Sequence, residues 1–96
     1  MEKRNNTYQL TLKELTLKDG SEGDKIVEFD FDNHDNLFQI FELINSKKIF
    51  EDEQTAQEFA LGLKLFTEVM LKNKQHPLFE ELRPAIMEFM KKLKSQ

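Results

Sequence analysis

The side chains of this sequence that could do chemistry are few: two histidines, His34 and His76, and a set of opposite charges gathered around Arg83. A guanidinium offers a planar, two-pronged donor that fits a carboxylate or phosphate. Glu80 and Glu81 adjoin it in sequence, and Lys64 and Glu68 come near it if the helices that carry them pack antiparallel. Arg83, Lys64, Glu68 and His76 therefore form a candidate ligand-binding set for a small anionic metabolite. The same charges also suit an interhelical ion-pair network that fixes helix register, and this is the preferred reading. His34 beside Asp35 is short of a metal-ligand set, which needs three or four donors, so the pair reads as a solvated helix start. His76, just before Pro77, reads as a turn-lining residue. There is no cysteine and serine is scarce, so neither imidazole has an evident nucleophile to activate. Gly20 and Gly23 do not form a phosphate-binding loop, because no Lys-Ser or Lys-Thr pair follows them at a strand-to-helix turn. No catalytic residue, metal or cofactor is assigned, and the chain is read as leaning away from an enzyme.

Something must position these groups, and composition says what kind of body it is. The chain has 96 residues, 39% of them hydrophobic and 33% charged, which predicts one folded domain over 1–96. Nine of its residues are Phe, each contributing roughly 2–3 kcal/mol when fully buried. The absence of cysteine removes disulfides and thiolate metal sites and points to a reducing cytoplasmic setting. The start MEKRNNTYQL is charged with no apolar run behind it, so it does not read as a secretory signal. No stretch approaches the roughly 20 apolar residues of a membrane span. The net charge of −4 argues against nucleic acid as a partner. That charge is uneven. Asp19 to Asp35 holds seven acids against one lysine, a net −6, whereas Lys72 to Gln96 holds six bases against three acids, a net +3.

Periodicity gives the elements. Tyr8, Leu10 and Leu12 alternate with Thr7, Gln9, Thr11 and Lys13, the period of a strand with one apolar face. Leu15 and Leu17 continue the pattern with shifted parity, which predicts a bulge near Lys13–Glu14. The run KDGSEGD is a hairpin loop in which Gly20 and Gly23 can take positive φ. Val27, Phe29 and Phe31 then alternate with Glu28 and Asp30, closing an antiparallel hairpin over about 6–31. Leu37, Ile40, Phe41 and Ile44 switch to helical spacing, predicting a helix over about 34–47 with Asp32, Asn33 and Asp35 at or near its start. A second helix, about 52–74 and capped by Asp52 or Thr55, carries Ala56, Phe59, Ala60, Leu63, Phe66 and Met70 as its main stripe. It should be central. Gly62 inside it suggests a close approach to a neighbouring element. The Phe and Met stripes read as core. A third helical segment, about 77–94, keeps its spacing through Pro84, so a kink or restart is expected near Leu82–Arg83. The fold class is α+β, an N-terminal hairpin followed by three helices in the order ββααα.

Two strands alone are marginal in water, and a lone hairpin leaves both edges unpaired. Either the helices cover the ribbon or two copies join their edges, and the sequence leans toward a homodimer. The expected partner is thus protein, with the hairpin edge as the self-association surface.

Asn33-His34-Asp35, Leu37-Phe38, the run Ala60-Leu61-Gly62-Leu63-Lys64-Leu65-Phe66, then Glu68-Val69-Met70-Leu71, His76-Pro77-Leu78-Phe79 and Glu81-Leu82-Arg83-Pro84-Ala85 are distinctive together. With the opening Tyr8-Gln9-Leu10-Thr11, this pattern resembles a small bacterial family, domain of unknown function number 3861. The resemblance spans nearly the whole chain. It implies a compact stand-alone protein and carries over no activity, cofactor or partner.

Overall fold

The computed structural model describes residues 5–96, so the charged start Met1–Arg4 lies outside the described residues. The element order is β1 (Asn6–Lys13), β2 (Ile26–Asn33), α1 (Leu37–Ser46), α2 (Glu53–Lys72), a short 3-10 turn (Pro77–Phe79) and α3 (Leu82–Lys94). This is the α+β, hairpin-then-helices order. The chain divides into two compact units, one ending at Asp35 and the other running from Asn36 to Gln96.

In the first unit, β1 and β2 pair antiparallel with Tyr8 opposite Phe31, Leu10 opposite Phe29 and Leu12 opposite Val27. All six apolar residues of the alternating pattern therefore share one face, as a period of two requires. The Tyr8 and Phe31 rings lie 5.5 Å apart, a cross-strand aromatic contact of the kind that stabilises sheets. On the opposite face the Thr11 hydroxyl donates to Glu28 at 2.7 Å. The open end of the hairpin is tied by polar bonds. Asn6 Nδ2 and the Tyr8 hydroxyl both donate to the Asp35 carbonyl at 3.1 Å, and the buried Asn33 accepts from the Asp35 N–H at 2.9 Å.

At the closed end, the Gly20 N–H donates to the Leu17 carbonyl and the Leu17 N–H to the Ser21 carbonyl. This encloses the three-residue loop Lys18-Asp19-Gly20, whose last position must be left-handed. Gly20 has φ 90° and supplies it without a Cβ penalty. Asp19 braces the loop by accepting from the Ser21 N–H at 3.0 Å and the Ser21 hydroxyl at 2.6 Å. The sequence pattern puts the bulge at Lys13–Glu14; the structure puts it on the other arm. Lys13 pairs with Ile26 and Thr16 with Glu22, so the returning arm takes four steps where the outgoing arm takes three. The extra residue falls near Gly23–Asp24. Alternation of side chains along one strand could not say which arm carries it.

In the second unit, α1 begins at Leu37 rather than His34, because Asn36 is the cap and accepts from the Phe38 and Gln39 N–H groups. α2 starts as its sequence implies, with Asp52 accepting from the Thr55 N–H at 2.7 Å. The core forms where Ile44 of α1 meets Ala56 and Ala60 of α2, all but sealed from solvent, with Ile40, Phe41, Phe50, Phe59 and Leu93 packed around them. Phe59 touches Phe50 and Phe89, and Phe66 touches Phe79. α2 is thus flanked by α1 on one side and by the last segments on another, the central place its wide apolar stripe calls for. The close approach to α1 is made at Ala56 and Ala60, not at Gly62. Gly62 is exposed, and a Cβ added there would meet nothing within 4 Å. The third helical segment restarts rather than kinks. Pro84 falls in the first turn of α3, where a missing N–H costs no helical bond. Lys47 Nζ donates to the carbonyls of Gln96 at 3.0 Å and Lys94 at 3.5 Å, bringing a cation to the negative end of α3.

Candidate functional site

Of the four residues suggested for an anion site, each has a clear place. His76 stands at the start of the 3-10 turn, where its Nδ1 accepts from the Leu78 N–H at 3.1 Å. Its ring lies 6.0 Å from that of Phe79. The imidazole therefore serves as an N-cap acceptor, in a tautomer that leaves Nδ1 unprotonated. It also borders a shallow hollow of about 470 Å³ formed by Leu71 to His76. The side chain of Arg83, half-buried in the first turn of α3, makes no hydrogen bond or ion pair among the described residues. Lys64 and Glu68, four residues apart on α2, are both engaged in interactions. No bond joins Arg83, Glu80 or Glu81 to either of them, so the interhelical network the sequence suggests does not form there. The other imidazole, His34, is exposed in the bend before α1, with Nε2 3.6 Å from Asp35 Oδ2. Adjacent residues would diverge on a helix; these two meet because they precede it. Among the described residues, no three of the His, Asp and Glu side chains gather as a metal site would require.

Two other features are more pronounced. On the hairpin, the apolar face opens toward the loop: Leu12 is 68% exposed, Val27 54% and Phe29 46%, while Tyr8, Leu10 and Phe31 are better covered. Among the described residues the sheet has two strands, so each has an outer edge outside the β1–β2 ladder. On the second unit, a hollow of about 230 Å³ lies between α1 and α2, lined by Phe38, Phe41, Glu42, Asn45, Glu53 and Gln57. Phe38 and Phe41 meet edge to face at 5.7 Å along one of its walls.

The chain matches, over residues 6–95, the family described as a domain of unknown function with a solved structure, DUF3861. It belongs to the DUF3861 family. A crystal structure of a protein of unknown function from Pectobacterium atrosepticum is similar to this DUF3861 chain at 38% identity. It covers 97% of this chain and 100% of that one, with a TM-score of 0.84. Among curated proteins, none matches.

The DUF3861 hollow at Phe38 escapes a sequence reading for a physical reason. Phe38 and Glu42 sit on the flank of α1 away from the Leu37–Ile44 stripe, and Glu53 and Gln57 sit on the corresponding flank of α2. Only the pairing of the two helices brings those flanks together. The signal available beforehand was the i, i+4 spacing of Phe38 with Glu42 and of Glu53 with Gln57, which is common on helices.

Proposed function

We propose that this DUF3861 chain is a small, non-enzymatic interaction module of the cytoplasm that works as a homodimer, joined through the outer edge of β1. The observation that carries the reading is the hairpin itself: a two-stranded sheet whose apolar face stays largely exposed at Leu12, Val27 and Phe29. An edge of this kind, with N–H and C=O groups turned outward beside exposed apolar side chains, is a template for another strand.

Charge selects between the two edges. Glu14 donates its N–H to the Lys25 carbonyl at 2.8 Å, which marks those two as a hydrogen-bonded pair. Alternation along the ladder then turns the N–H groups of Thr7, Gln9, Thr11 and Lys13 outward on β1, and those of Ile26, Glu28, Asp30 and Asp32 outward on β2. Two copies joined at β2 would set Glu28, Asp30 and Asp32 against the same acids of the second copy, and like charges across strands repel. Joined at β1 around Gln9, they would oppose Gln9 with Gln9 and Thr7 with Thr11, which carry no charge. The four-stranded sheet so formed runs β2, β1, β1, β2. It also sets Tyr8 of each copy opposite Leu10 of the other, while Leu12 falls opposite Asn6.

Light scattering tests this directly. The expected mass is near twice 11.4 kDa. Gln9→Pro, which removes an outward N–H and no ladder bond, should yield a folded monomer, whereas Asp30→Pro should remain a dimer. A parent protein that stays at the single-chain mass at high concentration ends the reading, and an Asp30→Pro monomer beside a Gln9→Pro dimer moves the contact to β2.

A further inference from the structure

The hollow between α1 and α2 has the chemistry of a cation site. Its walls combine the edge-to-face pair Phe38 and Phe41 with the carboxylates of Glu42 and Glu53 and the amides of Asn45 and Gln57. Neither carboxylate has an ion-pair or hydrogen-bond partner among the described residues. The segment from Glu42 to Glu58 holds five acids and two lysines, a net −3. Of those lysines, Lys47 is committed elsewhere, its Nζ donating to the Gln96 and Lys94 carbonyls at the end of α3. The other, Lys48, is exposed, and the segment stays acidic with it counted. Phe38 is 66% exposed, so a solute in the hollow can reach its ring.

We infer that this hollow binds a primary alkylammonium group, with the ammonium held by Glu42 and Glu53 and the methylenes lying on Phe38 and Phe41. Three features select that class. Two carboxylates favour a cation over a neutral amine. The side-chain oxygens of Asn45 and Gln57 add acceptors for the remaining N–H donors, which a quaternary ammonium could not use. The aromatic walls attract a cation through their faces and cover an alkyl chain. About 230 Å³ suits an aliphatic amine and is small for a folded domain or a nucleotide. The same chemistry is presented by a free diamine and by a lysine side chain in a peptide. The site is independent of whether two copies pair through β1.

The test is an amide-resolved NMR titration of the full chain at low salt with 1,5-diaminopentane, and separately with a Gly-Lys-Gly peptide blocked at both ends. Saturable shifts centred on Phe38, Phe41, Glu42, Asn45, Glu53 and Gln57 are expected. A response to the diamine alone identifies a free amine, and a response to both includes the lysine side chain. The double variant Glu42→Gln, Glu53→Gln should bind about tenfold more weakly, because two exposed charge contacts are lost. Phe38→Leu should weaken binding about threefold through loss of the ring face. Tetramethylammonium should bind more weakly than the diamine. These substitutions are at the surface, and the dispersion of the same spectra reports whether each variant is folded. Shifts that are non-saturable, that are reproduced by sodium chloride at equal ionic strength, or that persist unchanged in the double variant would overturn the assignment.

Discussion

Glu14 lies across Gly23 so closely that a Cβ on Gly23 would stand 2.7 Å from Glu14 Cβ and 2.8 Å from its Cδ. From that position Glu14 Oε1 accepts from the Asp24 N–H at 3.1 Å and the Lys25 N–H at 3.4 Å, while the Gly23 N–H donates to the Leu15 carbonyl at 2.9 Å. The carboxylate thus serves the two amides that the bulge on the returning arm takes out of the ladder. Gly23 is glycine to make room, since its φ lies outside the left-handed range where Gly20 sits. Gly23→Ala should destabilise the protein by about 1–3 kcal/mol, because the clash is with the near end of the Glu14 side chain and forces it off its bonds. Adding Glu14→Ala should cost less in the Gly23→Ala background than in the parent. Denaturant unfolding of the four proteins of this cycle measures the coupling; strict additivity would show that the two residues do not act together.

Gly62 makes the opposite case. It sits in the middle of α2, exposed, with open space where a side chain would go. Glycine there weakens the helix relative to alanine without any packing in return. Gly62→Ala should therefore stabilise the protein by roughly 0.5–1 kcal/mol. A loss of stability in thermal or denaturant unfolding would mean that the glycine backbone is needed for a contact.

The contrast shows where sequence reasoning succeeds on this chain. The six alternating residues Tyr8, Leu10, Leu12, Val27, Phe29 and Phe31 share a face because strand geometry leaves them no choice. The Leu37–Ile44 and Ala56–Ala60 stripes likewise meet because burial demands it. The choice between Gly62 and the alanines as the point of close approach depends on the rotation of α2 about its own axis. Leu61, Leu65 and Val69, apolar residues beside the main stripe of α2, leave that rotation ambiguous by most of a face. The proposed grouping of Arg83 with Lys64 and Glu68 depends on the same rotation and on the restart at Leu82, two unknowns at once. The hollow at Phe38 required the relative placement of two helix flanks, which local periodicity does not contain.

Acid should loosen the start of α2 in a way that can be traced to one residue. Hydrogen bonds from Thr55, its side chain first and its backbone N–H second, hold the Asp52 carboxyl below its ordinary value of 3.8. The unfolded chain therefore takes up the proton first as pH falls. The stability this cap confers is complete above 3.8 and is lost as pH drops through the lower folded value. Asp19 behaves in the same direction through its bonds from Ser21. Asn is also a good cap but does not titrate. Asp52→Asn should stay folded at neutral pH and show a shallower decline in unfolding midpoint below 3.8 than the parent. An unchanged acid limb would assign the decline to other carboxylates.

His76 can be separated from ligand chemistry by the same logic of conservative replacement. Its Nδ1 accepts from the Leu78 N–H and so orients the 3-10 turn whose Phe79 is buried and meets Phe66 of α2. A residue in that role is replaceable by any side chain that offers an acceptor at the same reach. His76→Asn should hold the unfolding midpoint close to that of the parent, whereas His76→Ala should lose about 1 kcal/mol, the usual worth of a cap. Loosening at Phe79 should appear along with the lost cap, as faster amide exchange from Leu78 to Glu80 in the alanine variant alone. If both variants matched the parent in stability and exchange, the cap would be without consequence and the imidazole would need another use. If both were equally damaged, the ring contact with Phe79 at 6.0 Å would be the part that matters, since asparagine restores the acceptor and not the ring.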